Sequence, residues 1–425
     1  MTTRTRVLFA CAAVAAATTL AACSGSDDAA APPPSPAPAP APAPSPPPAG
    51  GTEPTLARTI FMSGLQNPWD MAFLPDGTMF FTERCRGLSV RAPNGTVTRL
   101  FGTDGSALVA TDFFCQGQSG MHGVALDPQF AGNRTLYVFM PSSLTTNPRA
   151  NRVVRLVVNA THTSVGQRTD IVTDIAFKEA VPNGIGGNGA HSGGRIRFGP
   201  TDGLLYITTG DNHSATLPQH PTRLGGKVLR VDRDGNAAPG NNPPTGFDAR
   251  IYTYGHRNPQ GITFRPGSSQ PFTAEHGPGH SDEVTPLVAG GNAGWDPRPN
   301  VAGRGSCADN YCGYQGNATT MPMTDTTRFP NALRPTWNNN GASGGMGPAT
   351  FLSGAQWQAW DGRLLVGVMG SNRLDLLELN PAATSATRSA FGSLPPARYR
   401  SLVQAPDGSL YIATDGGEIW RVVPQ

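Results

Sequence analysis

The sequence predicts an all-β chain, a six-bladed β-propeller preceded by a signal peptide and a Pro/Ala-rich linker expected to stay disordered. Three observations predict it. Only 14% of the 425 residues are charged while 52 are Gly and 41 Pro, a balance that favours turn-rich β structure over helices. A hairpin-like pattern recurs six times through the body. The first fifty residues have a composition that fits neither the pattern nor a packed core.

Arg4 and Arg6 precede the apolar run "VLFACAAVAAATTLAA". That run is shorter than the ~20 residues needed to span a bilayer and has the form of a secretory signal. It ends in "LAAC", which resembles a bacterial lipobox, so residues 1–22 are expected to be removed and Cys23 lipidated. An ordinary cleavage site with Cys23 incidental is the alternative. Ser24 after the cysteine points to the outer membrane, on its periplasmic side. Removing residues 1–22 removes two arginines and no acids, taking the formal charge from +3 to +1. With no basic block, nucleic acid is excluded as a partner. Residues 23–54 form the linker; the tract "APPPSPAPAPAPAPSPPPA" within it favours polyproline II, and at ~3.1 Å per residue it reaches roughly 60 Å. Membrane contact is expected through the N-terminal lipid alone.

Residues 55–425 carry the repeats. Units begin at "NPWDMAFLPDGTMFF", "GMHGVALDPQF", "GGRIRFGPTDGLLYI", "NPQGITFRPG", "GPATFLSGAQWQAWDGRLLVGV" and "YRSLVQAPDGSLYIAT". Each reads as an alternating strand, a Pro-Asp-Gly-like turn and a second strand; Pro pre-sets the first turn position and Gly takes positive φ. Such hairpins stacked radially bury one another and leave few free edges, which a sandwich or solenoid explains less well. The early strand "ARTIFMSG" is expected to complete the last blade. Insertions at 101–119, 178–192, 211–224 and 296–346 are where a site can be built.

Four cysteines remain in the body. An oxidising compartment makes disulfides the default, and of three connectivities we pair Cys85 with Cys115 and Cys307 with Cys312. Four clusters look chemical. His191 in "NGAHSGGRIRF" is a candidate base among glycines that leave room for a flat ligand. Arg257 and Asn258 in "GHRNPQG" offer a guanidinium fork and an amide. In "AEHGPGHSDEV", His276 and His280 have helical zinc spacing, but Gly277, Pro278 and Gly279 make a helix very unfavourable. What that loop can offer is carbonyl oxygens to a hard cation. Arg398 and Arg400 alternate on a strand and so share one face.

Together with "GQSGMHGVALDPQF", "LGGKVLRVDRDG" and "GGNAGW", these motifs resemble the soluble quinoprotein sugar dehydrogenases, the glucose/sorbosone dehydrogenase family, over about residues 57–423. The resemblance implies a six-bladed propeller that uses pyrroloquinoline quinone (PQQ) and Ca²⁺ to oxidise an aldose or related sugar at C1. It implies His191 as catalytic base and Arg257 as a stabiliser of charge on the reduced quinone. Gln118, Arg257, Asn258, His276, Arg398 and Arg400 would contact the cofactor, with the Gly277 and Pro278 carbonyls on Ca²⁺ and Asp282 and Glu283 bracing that loop. A small-molecule sugar and a soluble or membrane electron acceptor are the implied partners.

Some positions depart from the family pattern. Met369, Gly370 and Ser371 stand where glucose-oxidising members carry a Lys, Ala190 replaces an acid, and Ser401 stands where Asp is usual. Residues 313–346 show no clear match for the aromatic cover of the sugar, although Trp337 lies nearby. Alternatives are a propeller lactonase or hydrolase whose Ca²⁺ is held by Asp211, Asn212, Glu275 and Asp282, and a non-catalytic carbohydrate-binding propeller.

Overall fold

Six sheets, antiparallel but for a short parallel fifth strand on two of them, follow one another along the chain in a computed structural model that describes residues 51–425 except Asn147. The signal peptide, Cys23 and the linker to residue 50 lie outside the described residues. Blade 1 runs Pro68–Phe73, Met79–Glu83, Gly87–Arg91 and Val97–Gly102; blade 2 runs Val124–Leu126, Thr135–Ser142, Ala150–Val158 and Val165–Ala176. Blade 3 is Ile196–Phe198, Leu205–Thr209, Lys227–Val231 and Ile251–Tyr254; blade 4 is Pro259–Phe264, Pro271–Glu275, Glu283–Pro286 and Trp337–Asn338. Blade 5 is Met346–Phe351, Leu364–Val368, Arg373–Leu379 and Ala386–Ala390. Blade 6 takes Tyr399–Gln404, Leu410–Thr414 and Ile419–Pro424, and its fourth strand is Leu56–Met62 from the other end of the domain. The first strand of each blade touches the first strands on either side, and the sixth touches the first, so the ring closes.

Strand alternation explains why the blades stack. Successive side chains point to opposite faces, and each second strand is buried on both. Phe80 packs toward blade 2 and Phe81 toward blade 6. Tyr206 faces blade 4 and Ile207 blade 2; Leu365 faces blade 6 and Val366 blade 4. Each of the six interfaces thus holds its own apolar cluster. Another cluster, around Trp295, Tyr311 and Cys312, packs the long insertion between the third and fourth strands of blade 4. That insertion also supplies the outer strand of blade 4, so the expected 296–346 loop is partly sheet. No helix among the described residues is long and apolar enough to cross a membrane.

Where the first strands meet, charge replaces hydrocarbon. Asp70 of blade 1 is fully buried and pairs with Arg195 (2.6 Å) and Arg197 (2.7 Å) of blade 3. It also accepts from Ser401 Oγ of blade 6 (3.0 Å) and the Val124 amide of blade 2 (3.1 Å). Arg195 and Arg197 hold the Asp70 carboxyl below the usual carboxylate range against the opposing effect of burial. Arg195 in turn donates to the carbonyls of Trp69 (3.3 Å), Gln260 (3.1 Å) and Arg400 (2.9 Å). Those three residues are skipped in the register of their strands: pairing jumps from Pro68 to Asp70, from Pro259 to Gly261 and from Tyr399 to Ser401. A bulge leaves its extra residue outside the ladder, and here one guanidinium bonds all three carbonyls.

Breaking this buried pair removes the counter-charge and leaves the other ion stranded, a loss of about 3–5 kcal/mol. Asp70→Ala is therefore expected to lower the urea midpoint by that equivalent, and an unchanged midpoint would remove Arg195 as the hub of the ring.

Candidate active site

A cavity of about 420 Å³ opens at one end of the ring. In antiparallel hairpins the start of the first strand and the end of the second lie at the same end, so those positions supply its wall. Asn67, Trp69, Asn258, Gln260, Arg398 and Arg400 enter from first strands; Arg84, His276, Met369 and Asp415 follow second strands. Gln118, His122 and His191 come from the loops leading into blades 2 and 3, and Tyr314 from the insertion. Trp69, Gln260 and Arg400, the three bulged residues, all line it. Arg400 thus meets the cavity through a bulge and not through the plain alternation with Arg398 that the sequence suggests.

The floor is aromatic. Arg195 lies over the Trp69 ring at 4.0 Å, and Trp69 stacks on His122 at 4.5 Å with 10° between planes. Burial pushes the His122 imidazole down to about 3, and its Nδ1 has no partner among the described residues. The rim is cationic. Arg398 (2.8 Å) and Arg400 (2.7 Å) converge on Asp415, and Arg400 also donates to Gln260 Oε1 (3.1 Å). Arg84 joins them, with a hydrogen bond to the Gly117 carbonyl. Three guanidiniums against one carboxylate leave an excess of positive charge suited to an anion. The Cys85–Cys115 disulfide ties the segment of Arg84 to that of Gln118.

His191 sits at φ +50°, left-handed backbone that a non-glycine residue rarely adopts. Its loop is held tightly: Gly193 N–H donates to Asn258 Oδ1 (3.2 Å), and a Cβ on Gly194 would lie 2.5 Å from His122 Nδ1. Part of the space expected for a flat ligand is therefore filled by protein. His191 Nδ1 meets Asp211 Oδ1 at 2.7 Å. Asp211 also accepts from the His213 amide (3.0 Å), Trp295 Nε1 (2.8 Å) and Tyr311 Oη (2.7 Å). Burial pushes the Asp211 carboxyl up, but four donors leave no acceptor for a carboxyl proton, and the geometry is that of a carboxylate. Nδ1 of His191 therefore carries its hydrogen and Nε2 its lone pair. Burial, and then the charge of Arg257, hold the imidazole well below its ordinary range, so it stays neutral. Nε2 lies near Tyr314 Oη (3.1 Å) and His213 Nε2 (2.9 Å). The Cys307–Cys312 disulfide closes the segment beside Tyr311 and Tyr314.

Arg257 is 1% exposed and is not on the cavity wall; it donates to the His276 carbonyl (2.8 Å) and lies 5.2 Å from the Tyr314 ring. Glu275 fixes the turn before it by accepting from His256 Nδ1 (2.8 Å), the Arg257 amide and the Asn258 amide (3.0 Å). The segment from His276 to His280 is not helical; His276 faces the cavity, and His280 instead bridges to Ala342. Gly277 and Pro278 are also off the wall, with the Gly277 amide held by Asp282 (2.9 Å). Asp282 accepts from Ser343 Oγ and the Gly344 amide as well, and Glu283 from Thr324 and Asn338. Asp211, Glu275 and Asp282 thus have their oxygens committed to donors, and no group of three His, Cys, Asp or Glu among the described residues could hold a metal. Of the four ligands of the lactonase alternative, the three carboxylates are thus engaged by protein donors, while Asn212 Oδ1 has no partner among the described residues. Trp337 is part of blade 4 and off the wall; the aromatic residue that the 296–346 insertion brings to the cavity is Tyr314.

Sequence reasoning missed Arg84, Trp69, Gln260, Tyr314 and Asp415. Aligning the six repeats at the residue after each second strand would have brought Arg84 and Asp415 into line with His276.

A family model described as Glucose / Sorbosone dehydrogenase matches residues 65–421. The chain belongs to the glucose/sorbosone dehydrogenase family. Within and around this family, it is 28% identical to the aldose sugar dehydrogenase YliI of Escherichia coli K12 over 86% of this chain and 92% of that one. It is 27% identical to quinoprotein glucose dehydrogenase B of Acinetobacter calcoaceticus, over 84% and 85%. The fold matches the PQQ-bound form of the aldose sugar dehydrogenase of Streptomyces coelicolor with a TM-score of 0.63 at 24% identity, covering 88% of this chain and all of that one.

Burial pushes the Glu283 carboxyl from 4.5 up to about 8. Between those values the folded protein keeps a proton that the unfolded chain has released, so stability falls as pH rises across the window. Glu283→Gln is expected to remove this slope: its urea midpoint should match the parent near pH 5 and exceed it at pH 8. Parallel midpoints would refute the assignment.

Proposed function

We propose that the protein is a PQQ-dependent dehydrogenase that oxidises an aldose or related sugar at C1, with His191 as general base. The observation that carries this reading is the neutral His191, fixed by Asp211, on the wall of a cavity rimmed by Arg84, Arg398 and Arg400. PQQ is a flat ortho-quinone with three carboxylates, and the residues fit it: a cationic rim, an aromatic floor, and a volume in the range of cofactor sites, about 300–1,000 Å³. Arg84, Arg398 and Arg400 would hold the carboxylates; Gln118, Asn258 and His276 would line its edges. Among the described residues neither the Gly277 nor the Pro278 carbonyl accepts a hydrogen bond, which leaves both available to Ca²⁺. When bound, PQQ supplies the hydride acceptor and Ca²⁺ a Lewis acid.

The chain's own residues handle the proton. His191 Nε2 takes the hydrogen of the sugar C1 hydroxyl, and Asp211 stabilises the imidazolium that forms. Arg257, behind the wall, holds the His276 carbonyl and keeps His191 neutral at rest. Turnover then needs a soluble or membrane electron acceptor, which a redox dye replaces in vitro. We further propose a periplasmic, lipid-anchored protein; its two disulfides fit an oxidising compartment. Cys23→Ser should then release it from the membrane fraction, and unchanged fractionation would refute the anchor.

Purified protein is expected to gain thermal stability on adding PQQ and Ca²⁺ and to reduce dye when an aldose is supplied. His191→Ala should lower kcat by about 10²–10⁴, whereas His280→Ala should be close to neutral. Because the base is held below 6.5, the rate should not fall between pH 8 and 6.5 on account of His191. Absence of both PQQ binding and sugar oxidation would end this reading. A chelator that leaves turnover intact would end the role of Ca²⁺.

A further inference from the structure

His213 is not on the cavity wall, yet it touches the residue that is. Its Nδ1 lies 3.2 Å from the Ile185 carbonyl, which can only accept, so that nitrogen carries the hydrogen. Burial pushes this imidazole down to about 3, so it is neutral and its Nε2 holds a lone pair. The same accounting gives His191 a lone pair on Nε2. The two nitrogens are 2.9 Å apart, with ring centroids 3.8 Å apart and 65° between planes. Tyr314 Oη completes the triangle at 2.9 Å from His213 and 3.1 Å from His191. Burial raises the Tyr314 phenol, so it keeps its hydrogen. One hydroxyl hydrogen therefore faces two acceptors.

We propose that His213 is a positioning residue that draws the Tyr314 hydrogen onto its own Nε2 and so leaves His191 Nε2 open to the substrate. The inference rests on reading His191 as the base. A Tyr314 hydrogen bond to His191 would occupy the lone pair that must receive the hydroxyl proton. His213 competes for it at the shorter distance. When the substrate O–H bond breaks, the proton forms an N–H bond at His191 Nε2, while His213 Nε2 keeps the Tyr314 hydrogen. The hydride and its two electrons leave separately, to the quinone. The charged and titratable groups around the pair are Asp211, Arg257, His276, Lys178 and Tyr311, and none of them offers Tyr314 a second acceptor lone pair at this spot.

The test uses the full-length protein with His213→Ala, His213→Gln and His213→Ala/Tyr314→Phe, read by ¹⁵N NMR of labelled imidazoles and by kcat with PQQ and Ca²⁺ added. In His213→Ala, Tyr314 turns to His191, so the Nε2 resonance should shift as it accepts a hydrogen bond. There kcat should fall at least about tenfold, and the acid limb of the pH profile should move to lower pH. Adding Tyr314→Phe should reverse the resonance shift and recover part of kcat. His213→Gln, whose Oε1 can accept the same hydrogen, should keep most of the activity. A merely structural role predicts no recovery in the double variant, and that result overturns the proposal. The expected resonance pattern in a protein that oxidises no sugar would uphold the hydrogen placement and sink the dehydrogenase reading instead.

Discussion

The guanidinium of Arg195 is the contact on which the rest of the molecule depends. Four of the six innermost strands carry an extra residue that cannot join the ladder, three of them at Trp69, Gln260 and Arg400, and an unpaired buried carbonyl is costly. Arg195 satisfies all three, while Asp70 neutralises it and extends the network to blades 2 and 6. A buried ion pair gives weak net stability compared with well-packed hydrocarbon. Its value here lies elsewhere: it fixes where the blades meet, and so where their loops emerge. The apolar clusters between blades supply the burial that drives folding but would tolerate small sliding of one sheet over the next. A guanidinium with several partners does not.

From this hub the site is assembled in layers. The Trp69 ring rests on Arg195 and carries His122; on the cavity wall Asn258, Gln260, Arg398 and Arg400 are held by hydrogen bonds to neighbouring residues. Asp211 is the second node. It gathers His191, the His213 amide, Trp295 and Tyr311, and through the last two it anchors the long insertion over blade 3. The disulfides act on the same loops. The Cys85–Cys115 bridge spans 30 residues, and constraining a loop of that size is worth about 3 kcal/mol or slightly more. Both bridges lie next to cavity residues, so their stabilisation goes to loops that have little core of their own.

Much of the architecture is legible in the sequence because it rests on local chemistry. Pro-Asp-Gly turns and alternating strands reveal six hairpins, and the same alternation dictates that Phe80 and Phe81 serve different interfaces. The Gly-Pro-Gly run excludes a helical histidine pair from backbone energetics alone. His191, Gln118, Asn258, His276, Arg398 and Arg400 do reach one cavity. What the sequence conceals depends on partners far apart in the chain. Asp415 shows no local sign of belonging with arginines 15 and 17 residues earlier. Asp211 reads equally well as a metal ligand until its four donors are seen, and Arg257 reads as a wall residue until the fold sets it behind His276. Bulges escape notice for a simpler reason: a one-residue offset in pairing leaves no mark in hydrophobic periodicity.

Those offsets have an evolutionary corollary. At Trp69, Gln260 and Arg400 a residue is surplus to its sheet and indispensable to the cavity wall. Loss of a single codon there would let the strand pair without interruption, giving a tidier sheet and a blank wall. The same deletion would take a carbonyl from Arg195, so at these three positions the closure of the ring and the shape of the cavity cannot be altered separately.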